Sequence, residues 1–240
     1  MNKWKSIWDK KTIECPIVET DEKQLFLKMK EANGFDIVDG AFTYEAFLKQ
    51  FEELQTEITY YQQKTERKVS TLYEVGCGNG ANLLLTRKMG YKSSGLDYSK
   101  SLVDGGNKIL GKYGIALDHG NADELDLYTK YDVLFSNGVF AYFKDLEYAE
   151  KVLEKMLTKA NCMIALVDIH DKDKEDSYYE YRRELIPNFD ELYKDLPKLF
   201  YPKSFFKEFA RKNALEIKFV KTDIKEYWNN EFIFSCYMFK

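Results

Sequence analysis

One stretch constrains this chain more than any other. Val69 to Val75, a short apolar run, breaks at Gly76-Cys77-Gly78-Asn79-Gly80, and Ala81 to Met89 then reads as helix. A strand that enters a helix through glycines sets the unpaired N–H groups of the helix start beside backbone that a ligand can approach closely. The alternation continues downstream. Ser93 to Leu96 is a short strand stopping at Asp97, and Ser99 is an N-cap for a helix from Lys100 to about Leu110. A weak strand (Ile115 to His119) and a strong one (Asp132 to Ser136) follow, and a helix from about Leu146 to Leu157 leads into the strand Met163 to Ile169. Short strands alternating with helices require a parallel sheet with right-handed crossovers. The last two strands, Leu215–Thr222 and Glu231–Phe239, are joined without a helix and so pair antiparallel.

Three segments sit outside this rhythm. Residues 1 to about 40, with Trp4, Trp8 and a Cys15-Pro16 break, read as an irregular or short-helical lead-in. From Ala41 to Thr65, Tyr44, Phe47, Leu48, Phe51, Leu54, Ile58 and Tyr61 recur at steps of three or four, the mark of a long amphipathic helix. Residues 1–68 are therefore expected to form an N-terminal helical cap, and 69–240 the main domain. Residues 171–200 interrupt the main domain as an insertion over the sheet's C-terminal edge, opening with the charge run Asp171 to Asp176. Tyr178, Tyr179 and Tyr181, with Arg182 and Arg183, suit a lid that stacks on a polar substrate, or equally a helix docking its aromatic side on the core.

Composition narrows the function. With 36 basic and 40 acidic residues the chain lacks the surplus that displaces counterions from a duplex, so nucleic acid is not an expected partner. Four scattered cysteines and two histidines do not suggest a zinc cluster or a disulfide framework, and no metal is expected. The longest apolar run, Cys162 to Val167, is far short of a membrane span, and no apolar h-region follows Met1 to Lys5. The expected location is the cytoplasm.

Asp97, ending the strand after the glycine loop, can accept hydrogen bonds from both hydroxyls of a ribose. A nucleoside-containing cofactor across the strand ends at a topological switch point accounts for both features. Gly76-x-Gly78-x-x-Ala81 also satisfies the dinucleotide fingerprint, so the glycines alone do not separate a nicotinamide cofactor from other nucleosides. Glu74, two residues before the first glycine, favours a cationic cofactor. Asn121-Ala122-Asp123 follows the third strand, where an adenine edge needs donors and acceptors, and Ser136-Asn137-Gly138 closes the fourth.

Taken in order, Leu72-Tyr73-Glu74-Val75-Gly76-Cys77-Gly78-Asn79-Gly80, Gly95-Leu96-Asp97-Tyr98-Ser99, Gly120-Asn121-Ala122-Asp123 and Tyr131-Asp132-Val133-Leu134-Phe135-Ser136-Asn137 resemble class I S-adenosylmethionine-dependent methyltransferases. The resemblance covers about Val69 to Ile169. It implies an α/β fold, a Rossmann-like, seven-stranded, mostly parallel sheet with a terminal antiparallel strand pair in a three-layer αβα arrangement. It also implies roles. Glu74 and the loop Gly76, Gly78, Gly80 would line the methionine end, and Asp97 would bind the ribose. Tyr98 would pack on adenine, Asn121 and Ala122 would meet the adenine edge, and Ser136 and Asn137 would border the methionine moiety. The family more often has Asp where Asn121 stands, though an amide still accepts from the exocyclic amine. Competing readings are a merely paired acid at Glu74, a helix-entry charge at Asp97, ordinary packing at Tyr98 and a turn residue at Asn121.

Methyl transfer from a sulfonium needs alignment and desolvation more than a metal, and a hydroxyl acceptor benefits from a general base. His170, flanked by Asp168 and Asp171 after the fifth strand, is the candidate base; the alternative is a surface histidine in a charged turn. Tyr142, where the family often presents an acceptor-facing side chain, is the second catalytic candidate, with plain packing as its rival. The expected reaction is methyl transfer from S-adenosylmethionine, leaving S-adenosylhomocysteine (SAH), to a small polar acceptor such as a sugar or natural-product hydroxyl or amine. The expected assembly is a monomer or homodimer. A nicotinamide-dependent oxidoreductase and a non-catalytic cofactor-binding partner protein are the alternatives.

Overall fold

The computed structural model describes residues 3–8, 10–11, 21–34, 43–225 and 227–240, so the Cys15-Pro16 break lies outside the described residues. The seven expected strands form one sheet: β1 (Thr71–Val75), β2 (Lys92–Asp97), β3 (Ala116–His119), β4 (Tyr131–Asn137), β5 (Ala160–His170), β6 (Glu216–Lys221) and β7 (Ile233–Phe239). Their spatial order is β3-β2-β1-β4-β5-β7-β6. The first five run parallel, and β7 pairs antiparallel with both β5 and β6. The order reverses between β1 and β4, which opens a crevice at their carboxyl ends.

The central strands β1, β4, β5 and β7 are buried on both faces, and period-two alternation assigns each of their side chains to a layer. Val133, Phe135, Met163 and Ala165 face one helical layer, while Leu134, Ile164 and Leu166 face the other. After α1 (Lys3–Trp8), the first layer holds α2 (Glu22–Ala32), α3 (Tyr44–Thr65), α4 (Ala81–Lys88) and α5 (Lys100–Leu110); the second holds α6 (Leu146–Lys159) and, after the insertion, a helix at Lys203–Lys212. No helix among the described residues is long and apolar enough to cross a membrane.

α3 forms because its apolar stripe has a face to cover. Phe47, Phe51, Leu54, Ile58 and Tyr61 are buried, and the Thr43 hydroxyl caps its start by accepting the Ala46 N–H at 3.1 Å. The lead-in, expected as irregular or short-helical, contains a helix of 11 residues, α2, with Leu25, Phe26 and Met29 buried in the same core as the sheet. Ser99 takes the expected N-cap position of α5, with extended backbone, but its hydroxyl does not do the capping. Its N–H is accepted by Asp97 Oδ1 at 2.8 Å. The insertion supplies α7 (Glu175–Leu185) and α8 (Phe189–Leu192), and Tyr178 of α7 packs in an aromatic cluster with Phe200 and with Phe232, which precedes β7.

Candidate active site

At the crevice lies a cavity of about 280 Å³ whose floor is the glycine loop. Gly76 (φ +79°) and Gly78 (φ +56°) turn the chain out of β1 in the left-handed region. A Cβ on Gly76 would stand 2.4 Å from Val139 Cγ2, and one on Gly78 would stand 2.8 Å from Asn33 Oδ1. Both positions therefore need glycine for space as well as for φ.

The loop is held from two sides. Asp97 Oδ2 accepts the Gly78 N–H at 2.8 Å while Oδ1 takes that of Ser99, so one carboxylate locks the loop to the start of α5. From the other side, Asn33 at the end of α2 accepts the Asn79 N–H at 3.1 Å, and Asn79 donates to the Met29 carbonyl at 2.7 Å. The segment read as a lead-in is thus a wall of the site.

Glu74 lies behind this floor. It is fully buried, and its Oε1 accepts a 2.6 Å bond from Asn82 Nδ2, while Oε2 has no hydrogen-bond partner among the described residues. Asn82 in turn accepts from the Lys30 ammonium at 3.1 Å, which also sits 4.3 Å over the Phe47 ring. Burial raises the Glu74 carboxyl to about 8 and lowers the Lys30 ammonium to about 8, since each charge loses water that its partner only partly replaces. Lys30 and Asn82 themselves line the cavity. Sequence reading passed over Lys30, Asn33 and Asn82. Asn82 could have been found one turn into the helix after the glycines, but nothing local marks the other two.

Seven of the ten expected cofactor residues line the cavity: Gly76, Gly78, Asp97, Tyr98, Asn121, Ala122 and Asn137. Asn137 is held by donating to Gln50 of α3 at 2.7 Å. Asn121 opens a capping box with Glu124, whose carboxylate accepts both its backbone N–H and its side-chain amide at 3.0 Å. Glu74, Gly80 and Ser136 stand behind the lining. Gly80 caps α4 against Leu110 and Leu117, and the buried Ser136 hydroxyl donates to the Val75 carbonyl at 2.8 Å, tying β4 to β1.

The two catalytic candidates separate. Tyr142 lines the cavity, edge-on to Trp4 and Trp8 at 4.9 and 5.6 Å between ring centroids, and burial pushes its hydroxyl pKa up. His170 does not line it. The imidazole is 3% exposed, clamped edge-on by Tyr178 and Phe200 at 5.2 Å each, with no hydrogen bond from the described residues at either ring nitrogen. This corrects both sequence readings, because His170 is neither a surface residue nor oriented by its neighbouring carboxylates. Asp171 is engaged by Lys203 at 2.6 Å, and Asp168 accepts from Tyr227 at 2.7 Å and Asn229 at 3.3 Å. Burial lowers the His170 pKa well below 6.5. Asp168 itself has φ +60°, where the β5–β7 register shifts, and its carboxylate lies behind Gly138 of the cavity wall.

Comparison with known proteins fits this geometry. Residues 66–201, more than half of the chain, match the methyltransferase-domain family. Among curated proteins, the malonyl-acyl-carrier-protein O-methyltransferase of Priestia megaterium is 28% identical over 95 residues, 39% of this chain, and that stretch spans only 35% of the relative's length. Among solved structures, the plantazolicin methyltransferase BpumL, in complex with a monoazolic desmethylPZN analog and SAH, superposes with a TM-score of 0.61 at 17% identity, covering 82% of this chain and 85% of that one. The magnesium protoporphyrin IX methyltransferase ChlM of Synechocystis PCC 6803, with bound SAH, gives 0.58 at 14% identity, covering 91% and 98%. At such identities the structural likeness is one of fold.

Proposed function

The chain belongs to the methyltransferase-domain family, and on that premise we propose that it transfers a methyl group from S-adenosylmethionine to a small polar acceptor, a hydroxyl or amine of a sugar or natural product. The observation that carries the cofactor assignment is the glycine-floored cavity, with Asp97 in its wall and a buried acid, Glu74, beneath it. The residues fit an adenosyl group bearing a positive sulfur. Gly76 and Gly78 leave the backbone bare for close approach. A carboxylate offers about four lone-pair sites, so Asp97 can hold its two backbone N–H groups and still accept from ribose hydroxyls. Tyr98, Asn121 and Ala122 would meet the adenine, and Asn137, Lys30 and Asn82 the methionine end.

Bound there, the cofactor would supply a methyl group already activated as a sulfonium, with SAH as its leaving group. The chain's own residues then bind, orient and exclude water. Trp4, Trp8 and Tyr142 wall the cavity with aromatic surface, which desolvates the acceptor and aligns it. Tyr142 is the side chain positioned to orient the acceptor atom; His170, sealed from the cavity, acts through packing. The family match weighs against the oxidoreductase and non-catalytic alternatives. The test is calorimetry with SAH and with NAD, followed by an acceptor screen with labelled methyl donor. Binding of SAH alone is expected, and NAD binding without SAH binding would overturn the reading.

A further inference from the structure

A second cavity, of about 230 Å³, opens beside the first between the insertion and α1. Trp4 lines both, and its indole Nε1 donates to the Pro197 carbonyl at 2.7 Å, pinning the end of the insertion against the first cavity. The walls of the second are aromatic, from Tyr178, Tyr179, Phe189 and Tyr193. Its charges are unequal. Arg183 and Asp190 pair with each other at 3.0 Å, which leaves Lys194 and Lys198 as the lining charges without an ion pair among the described residues.

Lys198 occupies the junction. It lines the second cavity, and its ammonium lies 5.3 Å over the ring of Tyr142, a wall of the first, and 5.8 Å over that of Tyr178. Among the described residues no hydrogen-bond acceptor and no carboxylate within ion-pair distance meets this ammonium. The acid that acts on it is Asp168, whose carboxylate is already engaged by Tyr227 and Asn229, and Arg182 repels it. The residue is half-buried, and its ammonium, resting on two ring faces, has lost water without gaining an anion among the described residues.

We propose that this second cavity is the anchoring subsite for the methyl acceptor, and that Lys198 binds an anionic group, carboxylate or phosphate, carried on an acceptor with a flat or apolar body. The inference rests on the methyl-transfer reading for the word acceptor, but its chemistry is separable. Burial lowers the Lys198 ammonium to about 8, and an arriving anion would restore what desolvation removed. The aromatic walls provide the surface on which the body packs.

The test is a tryptophan-fluorescence titration of the full chain, with and without saturating SAH, using benzoate, phenyl phosphate and uncharged benzamide as probes. Either anion should bind at least about tenfold more tightly than benzamide. That preference should disappear in Lys198→Met and persist in Lys198→Arg. Equal binding of benzoate, phenyl phosphate and benzamide by the unmodified protein overturns the proposal, a result that needs no variant to fold. An anion preference that survives Lys198→Met in a protein still binding SAH overturns it too. Benzoate and phenyl phosphate together distinguish the two anions. Failure of SAH to bind the unmodified protein would sink the methyl-transfer reading while leaving the anion result to stand on its own.

Discussion

Asn82 donates to the fully buried carboxylate of Glu74 at 2.6 Å and accepts from Lys30 at 3.1 Å, so a single amide joins a buried acid and a buried base directly under the glycine loop. Burial favours the neutral form of each. For Glu74, raised from 4.5 to about 8, the folded state holds a proton that the unfolded state releases, so its contribution to stability falls as pH rises through that window. For Lys30, lowered from 10.5 to about 8, the unfolded state holds the extra proton, so stability recovers as pH rises above about 8. Urea midpoints at pH 5.5 and pH 8 should therefore fall more steeply for the unmodified protein than for Glu74→Gln. Parallel slopes would mean that Glu74 does not titrate from a buried state.

Gly76→Ala tests the floor of the site. The added Cβ meets Val139 Cγ2 at 2.4 Å, and φ +79° costs an L-residue about 1–2 kcal/mol. SAH binding by calorimetry should weaken by roughly a hundredfold, the sum of strain and displaced loop. Adding Val139→Ala should recover part of the loss and not all of it, because the space returns while the backbone strain stays.

Asp97→Ala removes the acceptor of two backbone N–H groups as well as the proposed ribose contact. SAH affinity should drop at least about tenfold, and Asp97→Asn should fall between, because an amide oxygen still accepts one bond. An unchanged isotherm for Asp97→Ala would remove the ribose assignment.

His170 makes an acid-side prediction. Its imidazole is neutral in the folded state, where burial and the nearby Lys198 and Arg182 oppose protonation, while the unfolded chain takes up a proton below about 6.5. Stability is therefore lost as pH falls through 6.5. In His170→Phe, which keeps the edge-on contacts with Tyr178 and Phe200, the thermal midpoint should decline less between pH 7.5 and pH 5. An identical decline would show that the histidine is hydrated.

Much of the architecture was legible because its signals are local. The strand–glycine–helix corner at residues 76–80, the stop at Asp97 and the step of three or four in Tyr44 to Tyr61 each follow from backbone sterics and from the spacing of apolar side chains. The lead-in was less clear. Glu22–Ala32 has a short and interrupted apolar face, and its helix is fixed by Phe26 and Met29 entering the core and by Asn33 meeting the glycine loop.

By itself, then, the sequence determined the order of elements, the parallel sheet and the residues at the strand ends, since those depend on neighbours along the chain. Only the tertiary structure decided that Lys30, Asn33 and Asn82 join Glu74 at the site, that His170 is sealed between aromatic rings, and that Lys198 reaches Tyr142. The reason is physical. Burial and charge pairing depend on which distant segments exclude water from a group, and no pattern within one segment encodes that exclusion.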